Sequence, residues 1–93
     1  DVRALRAIAA ESIALAVRLG GVASGEHGDG LARSEWLEQQ FGTQVMGLFR
    51  TLKRAADPQG ILNPDKVVDA PPMDANLRYG VGYRAQGWPT TLN

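Results

Sequence analysis

The chain contains no cysteine, which excludes disulfide frameworks, thiolate metal sites and thiol nucleophiles together. That usage fits a reducing compartment, and a cytoplasmic location is the expectation. Histidine occurs once, at position 27, so no site built from several imidazoles can form within this chain. Neither charge is in excess: ten Lys and Arg balance ten Asp and Glu. The electrostatic basis for a nucleic-acid or anionic-membrane partner is therefore missing. Long apolar runs are missing too. The apolar-rich stretch 8–19 is interrupted by Glu11 and Arg18 and falls short of the ~18 uncharged residues a membrane span needs. It also lacks the basic start, apolar block and small-residue cleavage site of a signal peptide. Internal repeats and low-complexity tracts are absent.

What is present reads as helix. The 93 residues make one small domain or a piece of a larger one. The chain starts at Asp1, already inside a helical pattern and without an initiator Met, and is expected to be an excised fragment. Val2, Leu5, Ile8, Ala9, Ile13, Ala16 and Val17 recur at three- and four-residue steps, which predicts an amphipathic helix over roughly 2–19, stopped by Gly20 and Gly21. A second helix is expected over about 30–41, capped by Asp29 or Gly30, with Trp36, Leu37 and Phe41 on its buried side. Gly42 ends it. Thr43 then suits the N-cap of a third helix over 43–56, with Val45, Leu48, Phe49, Leu52 and Ala56 as its stripe and Arg50, Lys53 and Arg54 outside. Asp57, Pro58, Gln59 and Gly60 supply turn chemistry. Residues 63–93 hold four of the five prolines and no helical period, so an irregular extended tail is expected. Its Leu77, Tyr79, Tyr83 and Trp88 suggest that it lies across another surface.

Two stretches carry chemistry. The first is residues 24–30, Ser-Gly-Glu-His-Gly-Asp-Gly, where two acids flank the single histidine and three glycines free the backbone. Ser24, His27 and Asp29 formally offer a hydrolase triad, but working triads converge from separate elements rather than from one loop. Gly25, Gly28 and Gly30 read G-x-x-G-x-G, not the dinucleotide fingerprint, and no Walker lysine follows. Glu26, His27 and Asp29 are candidate metal donors, yet a metal needs three or four ligands and one loop rarely aims that many at one ion. The bland alternative is a tight turn whose histidine bonds the backbone. The second stretch runs from Lys53 to Lys66. There Asn63, placed before proline, is expected in β or polyproline geometry, aiming its amide at a ligand or serving as an ordinary turn asparagine.

Taken together, the Gly-Gly-x-x-Ser-Gly-Glu-His-Gly-x-Gly loop and the later Lys-x-x-x-Asp-Pro-x-Gly-x-Leu-Asn-Pro-x-Lys resemble the C-terminal end of FAD-linked oxidases of the vanillyl-alcohol-oxidase type. That group includes glycolate oxidase flavin subunits, D-lactate dehydrogenases and D-2-hydroxyglutarate dehydrogenases. Residues 20–30 and 53–66 carry the resemblance. The tail around Pro71, Pro72, Arg78, Tyr79 and Tyr83 resembles the long bacterial members, in which an iron–sulfur domain follows.

The resemblance implies a mainly α fragment of a larger α+β flavoprotein domain, with residues 1–66 as its C-terminal helical part and 67–93 as a linker. It implies an FAD-dependent 2-hydroxyacid dehydrogenase or oxidase, with a small 2-hydroxyacid as substrate. Glu26 is then a ligand of a divalent metal, zinc being the one the resemblance implies, with remaining ligands upstream, and His27 binds substrate and is the catalytic base. Asn63 is a weaker carry-over, toward the flavin. One departure stands out, because Asp65 occupies a position where glycine is usual in that family. The fragment alone is expected to be inactive and to self-associate. The alternative from another class is a small helical protein-interaction module with no catalytic role.

Overall fold

A computed structural model describes residues 1–77 together with Arg84 and Gly87. The expected tail aromatics Tyr79, Tyr83 and Trp88 lie outside the described residues. Within them the chain is helical and has no strand. Helix α1 spans Val2–Arg18, α2 spans Gly30–Arg33, a single 3₁₀ turn follows at Ser34–Trp36, and α3 spans Leu37–Ala56.

The start of α1 is fixed by Asp1, whose carboxylate accepts the Arg3 N–H at 2.9 Å. Its end is fixed by glycine. Gly20, at φ 82°, donates to Val17 O, and Gly21 donates to Ala16 O, the paired bonds of a Schellman stop. In α3 the backbone leaves helical geometry at Gly42, with φ 84° and ψ 166°, a conformation that only glycine enters freely. Phe41 and Phe49 face each other across this kink, edge to face, with centroids 5.5 Å apart.

The capping expected on either side of the kink does not form. Asp29 occupies the N-cap of α2 without a side-chain bond, and no capping bond from Thr43 occurs among the described residues. Gly42 alone supplies the break, so a polar cap is not needed to end the segment before it.

The core is thin. Ile13, Leu37 and Met46 are the buried apolar side chains. The stripes read from periodicity are only partly covered. Leu5 and Ile8 on α1, Phe41 before the kink, and Leu48 and Leu52 after it are all exposed, the last two by more than two-thirds. Met46, which that reading left off the stripe, packs inward together with Leu37 of the same helix. The cause is geometric: a period places apolar residues on one face, and only another element can bury that face.

Polar contacts instead tie the segments together. Arg6 of α1 forms a two-pronged ion pair with Glu35 and reaches Asp74 at 3.1 Å, with its guanidinium 5.2 Å over the Trp36 ring. The Glu35 carboxylate also accepts the Met73 N–H at 2.7 Å. The buried Ser34 hydroxyl donates to Gly30 O and accepts the Val67 N–H, pinning the stretch after α3 back onto the 3₁₀ turn. Lys53, expected on the outside, is half-buried and bonds Asp57 and Leu62 O, while Arg50 pairs with Asp69.

Candidate functional site

The loop between α1 and α2 carries the only histidine. Residues 24–29 hang between two fixed ends, the Schellman stop of α1 and the first turn of α2. Gly28 sits at φ 80° with open space where a Cβ would be, which lets the chain reverse without packing behind it.

On this loop Glu26 and His27 point to solvent, their side chains 88% and 79% exposed, with a Glu26 carboxylate oxygen 3.6 Å from His27 Nε2. Among the described residues neither engages any other side chain. Both are thus free for an outside ligand. No hydrogen bond joins Ser24 to His27, or His27 to Asp29, among the described residues, so the triad arrangement is not assembled. The glycines likewise lie in a turn between two helices, not in a strand–loop–helix phosphate cradle.

The donor set can be tested against a metal ion. A carboxylate oxygen suits a divalent metal ion, and Glu26 presents one to solvent on this loop. No group of three or more His, Asp or Glu side chains able to hold a metal occurs among the described residues. The loop alone therefore does not make a metal site among the described residues, and Glu26 is the donor it could contribute to one.

The second stretch is built around Asp57. This buried carboxylate accepts from Lys53 Nζ at 2.5 Å, Leu62 N at 2.9 Å and Ile61 N at 3.1 Å. These bonds, the lysine's first, hold its pKa below the ordinary carboxylate value against the opposing effect of burial. Lys53 also bonds Leu62 O at 2.6 Å, so the N–H and the C=O of Leu62 are both held just before Asn63.

Asn63 itself departs from expectation. It lies at φ 45°, not in the extended region its following proline favours. Asparagine is among the few residues that enter left-handed geometry at little cost. Its side chain is exposed and makes no hydrogen bond among the described residues. Asp65 follows at φ 65°.

Sequence reasoning missed Arg6, Glu35 and Asp74. Only their types were visible, since the partners are 29 and 68 residues apart in the chain.

Comparison with known proteins bears on both stretches. The family described as FAD linked oxidases, C-terminal domain, matches residues 1–67. A D-lactate dehydrogenase of Archaeoglobus fulgidus is 52% identical over 56 residues, 60% of this chain and 12% of that protein. A glycolate oxidase subunit of Bacillus subtilis is 40% identical over 58 residues, 62% of this chain and 12% of the relative. A D-2-hydroxyglutarate dehydrogenase of Escherichia coli is 35% identical over 73 residues, 78% of this chain and 7% of the relative. The chain thus spans about a tenth of the length of these curated relatives. No solved structure matches.

Proposed function

The chain belongs to the FAD linked oxidases, C-terminal domain, family, and we propose that it is the C-terminal part of an FAD-dependent 2-hydroxyacid dehydrogenase, supplying one half of the active site. The observation that carries this reading is the free Glu26–His27 pair, a carboxylate and an imidazole 3.6 Å apart on an open glycine loop.

The roles follow from the chemistry of oxidising an alcohol, which removes the O–H proton and the C–H hydride together. A bound flavin would supply the hydride acceptor, and a divalent metal held in part by Glu26 would supply the Lewis acidity that eases loss of the hydroxyl proton. Glu26 is the ligand this chain offers to that metal. His27 takes up the hydroxyl proton at a ring nitrogen, a role that suits a side chain whose ordinary pKa lies near neutrality. Asn63 offers its exposed amide toward the flavin. The small substrates named for the relatives, D-lactate, glycolate and D-2-hydroxyglutarate, are all 2-hydroxyacids or their salts, and that class is the proposed substrate.

In this reading residues 1–66 belong to a larger α+β flavoprotein domain, with separate second and third helices on either side of Gly42. Residues 67–93 lead toward an iron–sulfur domain. The uncovered apolar faces of α1 and α3 pack on the flavin and substrate domains, and the 93-residue chain alone is inactive and self-associates. Among the described residues no helix is long and apolar enough to cross a membrane, and a cytoplasmic location belongs to the same reading.

The test is turnover of a panel of 2-hydroxyacids by the full-length polypeptide with an artificial electron acceptor. Oxidation of at least one acid, abolished by Glu26→Gln, supports the reading. Absence of any oxidation by the flavin- and zinc-loaded protein overturns it.

A further inference from the structure

The loop that carries Glu26 and His27 has no packing of its own. Both side chains face solvent, and a Cβ added at Gly25 or Gly28 would meet nothing within 4 Å. Glycine-rich backbone loses the most conformational freedom on being ordered, so this loop keeps one shape only if something outside it holds it.

Two contacts do so, one on each side of the pair. Gln40, before the kink in α3, accepts the Ala23 N–H on its side-chain oxygen at 2.7 Å. Arg33, at the end of α2, donates from its guanidinium to Gly28 O at 3.1 Å. Ala23 lies three residues before Glu26, and Gly28 directly follows His27. The two anchoring side chains are themselves half-buried on helices, so they transmit a fixed position rather than moving with the loop.

We propose that Gln40 and Arg33 are positioning residues that set the placement of Glu26 and His27 for metal and substrate. The inference rests on the function proposed above for that pair. Neither residue touches the reacting atoms. Each acts through the backbone, as outer-shell groups do when they orient metal ligands.

The test uses the full-length enzyme loaded with FAD. Gln40→Met and Arg33→Met remove the acceptor and the donor at similar side-chain length, while Gln40→Glu and Arg33→Lys keep them. Zinc affinity is read with Zn²⁺ alone, by competition with a fluorescent indicator. Amide exchange over residues 24–28, kcat and KM complete the readout. The methionine variants are expected to bind zinc roughly 10–100-fold more weakly, to exchange faster across the loop, and to lose kcat by tenfold or more at nearly constant KM. The glutamate and lysine variants are expected to recover most of each loss.

Unchanged zinc affinity and loop exchange in both methionine variants would overturn the proposal. So would equal losses in the methionine and conservative variants, which would mark a packing role. Glu26→Gln separates the two levels of the argument. If it costs zinc affinity while the methionine variants do not, the clamp alone fails. If it costs nothing, the reading of the site fails first.

Discussion

Glu35 and Arg6 form a two-pronged ion pair that joins the 3₁₀ turn to α1, and the same carboxylate accepts the Met73 N–H. One acid thus ties both α1 and the stretch around Met73, beyond α3, to the 3₁₀ turn. A guanidinium can occupy both carboxylate oxygens of Glu35 while reaching Asp74 at 3.1 Å; an ammonium cannot match that fork. Arg6→Lys is therefore expected to release residues 72–76, seen as faster amide exchange at Met73 and Ala75 with little change in α3.

The acid side of the stability profile should report two carboxylates. Glu35 is held below its ordinary value of 4.5 chiefly by the Arg6 hydrogen bond, then by the Met73 N–H. Asp57 is held below 3.8, chiefly by Lys53 and then by the Leu62 and Ile61 N–H groups. A carboxylate whose folded pKa is depressed stabilises the fold fully above its unfolded pKa, and that contribution is lost as pH falls through the folded value. Thermal unfolding of the full-length protein should be flat near neutrality, with Tm beginning to fall once pH drops through 4.5 and 3.8. Glu35→Gln with Asp57→Asn should lower Tm at pH 7 and flatten that acid decline. A double variant with an unchanged acid limb would show that other groups set it.

Asp65 holds φ 65° on an exposed turn. Left-handed geometry costs an L-residue about 1–2 kcal/mol, less for Asp, and glycine nothing. After the greater unfolded-state entropy of glycine, roughly 0.5–1 kcal/mol, is subtracted, Asp65→Gly should change stability by no more than about 0.5 kcal/mol in urea unfolding, and Asp65→Val should destabilise by more than that.

Much of this was readable from residue types in order, and the limits have a physical cause. Gly20, Gly21 and Gly42 act through local backbone freedom, so those break points showed in the sequence, whereas the 3₁₀ turn at Ser34–Trp36, which interrupts the helix expected over 30–41, did not. The exposed Glu26–His27 pair showed too, as adjacent residues on a glycine loop. Burial did not. Leu48 and Leu52 keep the right period yet are uncovered, because nothing described here packs on them. Arg6, 29 residues from Glu35 and 68 from Asp74, reads as a surface cation until the fold brings its partners together. Asn63 was misread because the proline rule is a steric preference, and asparagine enters left-handed geometry at little cost.

The uncovered faces carry a prediction of their own. With Ile8, Leu19, Leu48, Leu52 and Ile61 all more than 60% exposed, the isolated 93-residue chain should associate with itself. Light scattering at tens of micromolar should give a mass above that of one chain, and Leu48→Glu with Leu52→Glu should reduce it. A clean monomer before substitution contradicts the expectation.

The most direct measurement of the central claim follows the flavin. The full-length, FAD-loaded enzyme is mixed anaerobically with its 2-hydroxyacid, and flavin bleaching is timed for the parent and for His27→Gln. If His27 takes the hydroxyl proton, the variant should reduce its flavin about 10²–10⁴-fold more slowly, with flavin and zinc content unchanged. Bleaching at the parent rate in His27→Gln would contradict the account.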